Sequence, residues 1–185
     1  SREDYIKFRA FTDSNALKKK ISDKNIFNKN FPKNQSYKIF YEISEKIRCE
    51  LLGSDMLNGV KKNINENYYN KILNKKESNI KKREDVNVSE AFELYLLKNF
   101  LNIKLNKVAN KILSFWEKKF DENIKKHTQF LMKNITDQNK YNEKFSEIFQ
   151  NMQLFESENE VKNQNNDENN NNENNKDNKD DNNNE

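Results

Sequence analysis

Residues 109–155, ANKILSFWEKKFDENIKKHTQFLMKNITDQNKYNEKFSEIFQNMQLF, carry two successive apolar stripes that decide the fold class. In the first, Ala109, Ile112, Leu113, Trp116, Phe120, Ile124 and Leu131 recur mostly at three- and four-residue steps. That spacing lines one face of a helix with 3.6 residues per turn. Thr136-Asp137 interrupts the pattern with N-cap chemistry, because a short side-chain oxygen accepts the unpaired N–H groups of a new first turn. The second stripe is Tyr141, Phe145, Ile148, Phe149, Met152 and Phe155. Large rings bury more area than other side chains, so these two stripes predict the centre of the core.

Upstream, residues 3–22 carry Tyr5, Phe8, Phe11, Leu17 and Ile21 as an imperfect helical stripe, and residues 25–34, with Pro32 and several asparagines, read as a loop. A helix is predicted over 35–52, with Tyr37, Phe40, Tyr41, Ile47 and Leu51 on one side. Gly53 stands where a left-handed C-cap residue is wanted. Residues 54–73 read as a short helix or irregular turn, and the charged segment 75–85 as an exposed linker within the domain. Asn87 followed by Glu90 resembles a capping box opening a helix that runs through Ala91, Phe92, Leu94, Tyr95, Leu96, Leu97, Phe100 and Leu101. That helix is apolar on most sides and so belongs deep in the core. The expected architecture is an all-α bundle of five to six helices, with no internal repeat.

Composition divides the chain in two. Residues 158–185 hold nine acids against three lysines, together with 14 asparagines and a single aliphatic residue, Val161. Such a segment buries too little apolar surface to offset the entropy of ordering it, so a disordered acidic, Asn-rich tail is expected after a helical domain at 1–157. The tail is about −6 and the whole chain +4, which leaves about +10 on the domain. Two glycines and one proline are too few for a turn-rich β fold. Cys49 is the only cysteine, so an internal disulfide is excluded and a reducing, cytoplasmic setting is expected. No apolar run reaches the length of a membrane span, so no membrane partner is expected.

The search for an active site is mostly negative. With two glycines the chain forms no phosphate-binding loop, and with His127 and Cys49 as the only histidine and thiol it cannot assemble a zinc site of such ligands. His127 sits in the charged run Lys125-Lys126-His127, which reads as solvated surface, and Cys49, between Arg48 and Glu50, reads as a packed thiol. No catalytic, cofactor-binding or metal-binding residue is assigned. The clusters Lys18-Lys19-Lys20 and Lys81-Lys82-Arg83 are short and lack an exposed aromatic platform, so a helical nucleic-acid-binding or other interaction domain stands as the alternative reading. Trp116 reads as core rather than as part of a ligand cage.

The order of particular residues resembles the N-terminal region of the CobT subunit family of ATP-dependent cobaltochelatase. Arg9-Ala10-Phe11-Thr12-Asp13-Ser14-Asn15-Ala16-Leu17 is similar to the family's R-G-x-x-D-x-x-A-L segment. The stretch 39–53, IFYEISEKIRCELLG, with Glu45, Arg48, Glu50 and Gly53, looks like the family's F-x-x-x-E-x-x-R-x-E-x-x-G helix. Met56, Gly59, Val60 and Asn63 stand where the family has M-x-G-V-x-x-N, and Trp116, Asp137, Gln138 and Tyr141 follow its W…DQ-x-x-(F/Y) pattern. The resemblance covers about residues 9–157 and places the acidic tail where the family has an acidic linker. One departure is Lys20-Ile21-Ser22, where the family usually has a Tyr-His pair.

The resemblance implies a role rather than an active site: a scaffold or docking region of a cobaltochelatase subunit in cobalamin biosynthesis. Its implied partners are an AAA+ ATPase of the CobS type and a large catalytic subunit that inserts cobalt into a corrin ring, with Mg-ATP and cobalt handled by the complex. The family's integrin-type domain lies beyond the acidic linker, so the sequence is expected to stop inside that linker. Asp13, Glu45, Arg48, Glu50, Gly53, Gly59, Asn63, Trp116, Asp137 and Gln138 are the motif residues, with structural or docking roles. Arg48, Glu45 and the Asp137-Gln138 junction are expected to order the fold rather than contact a ligand.

Overall fold

A computed structural model describes residues 1–75 and 80–154. Residues 1–152 form one compact unit, and among its described residues every element is helical. Five helices have twelve or more residues: α1 (Arg2–Ile21), α3 (Lys38–Met56), α4 (Asn58–Leu73), α5 (Val88–Asn99) and α9 (Gln138–Asn151). Shorter helices are α2 (Lys24–Lys29), α6 (Lys107–Ser114), α7 (Glu117–Ile124) and α8 (Thr128–Lys133), with 3₁₀ turns at Gln35–Tyr37, Arg83–Asp85 and Lys125–His127. The all-α bundle is the expected one. The expected tail at 158–185, and Phe155 of the second stripe, lie outside the described residues.

Short polar side chains set the helix starts. Asp137 accepts the backbone N–H of Lys140 and opens α9, Asn87 accepts from Ser89 and Glu90 and opens α5, and Asp23 accepts from Asn25 and Ile26 and opens α2. The core forms where the stripes meet. Phe92 of α5 lies 5.0 Å from Phe40 of α3, 5.6 Å from Phe120 of α7 and 5.8 Å from Phe149 of α9 between ring centroids. Edge-on and tilted contacts of this kind suit the quadrupoles of the rings. The rings of α9 add Tyr141–Phe145 and Phe145–Phe149 pairs at 5.1 and 5.6 Å.

Several local expectations are corrected. Residues 109–131 do not form one helix: the chain breaks at Phe115-Trp116 and again at Lys125–His127. A straight helix over that stretch would run about 35 Å, whereas the broken path wraps the bundle and keeps all seven stripe residues buried. In α1 the aromatic stripe faces outward. Tyr5, Phe8 and Phe11 are exposed, while Ala10 and Leu17 form the buried face. Small residues let α1 approach α3 closely, and that approach outweighs the burial three rings would have given. Part of the expected loop at 25–34 is α2. Residues 54–73 contain the sixteen-residue helix α4, which buries Ile64, Tyr68 and Ile72.

Gly53 is no C-cap. It lies inside α3 with φ not positive, and α3 runs on to Met56. A Cβ added there would come within 2.3–2.8 Å of Leu17 side-chain carbons, so the residue is small because α1 crosses at that point. The segment 75–85 is not wholly an exposed linker. Ile80 is buried, and the Arg83 guanidinium lies 3.7 Å from the centroid of the Trp116 ring. Lys76, Glu77, Ser78 and Asn79 of that segment are outside the described residues.

Candidate functional site

Helices α1, α3 and α4 pack on one another, and the motif residues lie largely along their seams. Ser14 of α1 donates to Glu50 of α3 at 2.7 Å, and Leu17 meets Gly53; the common offset of 36 positions means that the two helices run side by side in the same direction. Glu50 also accepts from the Tyr68 hydroxyl of α4 at 2.6 Å. Burial first and the Glu50 charge second hold that phenol well above its ordinary pKa, so it stays a donor. Asn63 of α4 donates to Asp13 of α1 at 2.7 Å. Gly59, the second residue of α4, has open space around it.

A second polar cluster joins α3 to the chain ends of two other helices. Arg48 is 1% exposed and Glu45 is fully buried. The guanidinium makes two bonds to the Glu45 carboxylate, at 2.8 and 2.9 Å, and also donates to the carbonyls of Ile135 and Ile21, at 3.1 and 3.4 Å. One cation thereby satisfies a buried anion and two backbone carbonyls, at the end of α1 and in the turn after α8, which is the condition under which a buried ion pair is tolerated. Burial alone would pull the Arg48 pKa down; the Glu45 bond more than offsets it, and the net shift is upward. Cys49 beside this pair is pushed up to about 12, first by burial and then by the Glu45 charge, so it is a packed thiol and no nucleophile.

Gln138, the first residue of α9, closes a third junction. Its side-chain oxygen accepts the Asp23 N–H at 2.7 Å, and its amide nitrogen donates to the Asp23 carbonyl and the Ser22 hydroxyl at 3.0 and 3.1 Å. Asp137, its neighbour, caps α9. The structure thus brings Asp13 to Asn63, Glu45 to Arg48, Glu50 to the α1–α4 seam and Gln138 to the start of α2. Trp116 stands apart from these clusters, packed on Phe120 and covered by Arg83.

A groove of about 820 Å³ lies between α1 and α4, floored in part by α3. Phe8 and Phe11, 68% and 65% exposed, form one rim. Asn67 and Asn70 of α4 and its C-cap residue Asn74 lie on the opposite side, and Ala10, Ile64 and Tyr68 at the base. Lys46 and Lys71 in the wall both donate to Glu93 of α5, at 3.2 and 2.5 Å, and Lys75 pairs with Glu90. Sequence reasoning missed this groove, because it turned the α1 rings inward and gave α4 no definite form. The three- and four-residue steps of Asn67, Asn70 and Asn74 were the available signal.

Among the described residues no group of three or more His, Cys, Asp or Glu side chains is arranged to hold a metal ion, and no helix is long and apolar enough to cross a membrane. The family comparison gives a match over residues 1–185, the whole chain, to the model described as cobalamin biosynthesis protein CobT. The chain belongs to the CobT family. Membership places this CobT-family chain in cobalamin biosynthesis. No curated protein and no solved structure matched it.

Proposed function

We propose that the helical body is a non-catalytic docking region of a CobT-type subunit of ATP-dependent cobaltochelatase, acting as a scaffold for an AAA+ partner while a large subunit inserts cobalt into the corrin ring. The observation that carries this reading is the outward aromatic face of α1: Tyr5, Phe8 and Phe11 are each at least 60% exposed along one helix, beside the α1–α4 groove. A run of exposed rings beside a groove favours association over solvation. The ionisable groups fit a structural role. Glu45, Arg48, Glu50 and Glu93 are each bonded within the fold, and the Cys49 thiol is held protonated. Mg-ATP and cobalt belong, in this reading, to the other subunits.

The test is size-exclusion chromatography with light scattering on the chain alone, then with the AAA+ subunit in the presence of Mg-ATP. Co-elution as a defined assembly is expected. Separate elution, repeated with the large subunit also present, would overturn the docking role of this region.

A further inference from the structure

The charged groups of the α1–α4 groove that stand beside α4 are matched within the protein, while Glu3 and Lys7 on the α1 side, of opposite sign, make no ion pair with a described residue. Lys46 and Lys71 share Glu93, Lys75 holds Glu90, and Glu50 takes the Ser14 and Tyr68 hydroxyls. What the groove leaves without a partner is different in kind. Asn67, Asn70 and Asn74 follow at three- and four-residue steps, so their side chains share one face of α4. None of the three side-chain amides bonds to another of the described residues. Across from them stand the exposed rings of Phe8 and Phe11.

A row of amides selects a particular occupant. Each asparagine side chain offers both a donor and an acceptor, the same pair that a peptide unit needs. A helix has already satisfied its own peptide groups and gains little from such a row, whereas an extended segment presents free N–H and C=O groups along its length. The rise from Asn67 to Asn74 is about 10 Å along α4, the reach of about three extended residues. Because Lys46, Lys71, Lys75 and Glu50 are already bonded and the remaining Glu3 and Lys7 are of opposite sign, the segment need carry no charge where it crosses the asparagines. Its side chains on one side would meet the two phenyl rings.

Resting on the docking reading above, we propose that the α1–α4 groove takes an extended, uncharged segment of a partner subunit, held through its main chain by Asn67, Asn70 and Asn74 and through an apolar side chain between Phe8 and Phe11. The probe is a set of short, overlapping fluorescein-labelled peptides covering the AAA+ and large chelatase subunits of the same organism, titrated with the full chain and followed by polarisation. One peptide should bind. The triple variant Asn67→Ala, Asn70→Ala, Asn74→Ala should weaken it by at least about tenfold with the melting temperature not lowered, since alanine is the better helix former at 67 and 70 and Asn74 caps α4 through its backbone N–H alone. N-methylation of the central peptide units should weaken it comparably, a change that a side-chain-only mode would ignore.

Equal affinity for the triple variant, or indifference to N-methylation, overturns the proposal. So does the failure of every peptide to bind. The docking reading is judged separately: if the triple variant still co-elutes with the intact AAA+ subunit, the groove is not the contact but the region still docks. If the wild-type chain does not co-elute either, both ideas fall.

Discussion

The Arg48–Glu45 cluster and the α1–α4 groove lie on the same helices yet are opposites in bonding. In the first, every charged atom is buried and answered: Arg48 serves Glu45, Ile135 and Ile21 together. In the second, the charges beside α4 are paired, but three amides have no bond to a described residue and two rings are exposed. Most residues that carry the CobT motifs, among them Asp13, Glu45, Arg48, Glu50, Gly53, Asn63 and Gln138, belong to seams of the first kind. Of the groove's residues, Ala10, Phe11, Ser14 and Glu50 fall in the motif segments, whereas Phe8, Asn67, Asn70 and Asn74 do not. Motif residues can therefore mark how a domain is held together, while the surface it uses is found among residues with unsatisfied bonding capacity.

The contrast breaks most readily at Arg48. Arg48→Ala leaves a fully buried carboxylate and two carbonyls without their cation, a loss of about 3–5 kcal/mol. A domain of this size should then melt about 10 °C lower, as read by calorimetry or circular dichroism. An unchanged melt combined with lost partner binding would move Arg48 from the framework to the docking surface.

The glycines sharpen the same line. Gly53→Ala drives a methyl into Leu17 and should cost about 1–3 kcal/mol through overpacking. Gly59→Ala meets nothing within 4 Å and lies in a helix, so it should stabilise by about 0.5–1 kcal/mol. Denaturant titration of the two variants should give opposite signs.

Acid probes the groove wall. Burial pushes the Glu93 carboxyl up, but the ammonium groups of Lys46 and Lys71 pull it further down, and its pKa ends below the ordinary 4.5. A depressed carboxylate contributes its full stability above 4.5 and loses it as pH falls through the lowered value. Glu93→Gln should therefore flatten the fall in melting temperature below pH 4.5. The smallest effect is expected at Cys49. With its thiol held up to about 12, thiol reagents should leave the native chain unlabelled at neutral pH and react once denaturant is added.

Much of the fold is written in periodicity. The stripes of residues 109–131 and 141–152, the N-caps at Asn87 and Asp137 and the apolar helix at 88–99 all follow from local spacing, and each is present. The failures come from tertiary packing. Tyr5, Phe8 and Phe11 are apolar and helically spaced, but nothing local says that Ala10 and Leu17 are the face α3 will accept. Gly53 next to the predicted helix end looks like a cap until Leu17 is seen to lie against it. The groove was hidden for the same reason: its two rims are 56 or more residues apart in the chain, and its asparagines are unremarkable in a sequence full of them.

The most direct measurement is hydrogen–deuterium exchange of the chain with and without the AAA+ subunit and Mg-ATP, resolved by mass spectrometry. Added protection is predicted in peptides from α1 and α4, around Tyr5–Phe11 and Asn67–Asn74, with the Arg48 region of α3 and the body of α9 unchanged because they are already closed. Protection confined to α6–α8, or appearing first around Arg48, would contradict the assignment of framework and docking surface.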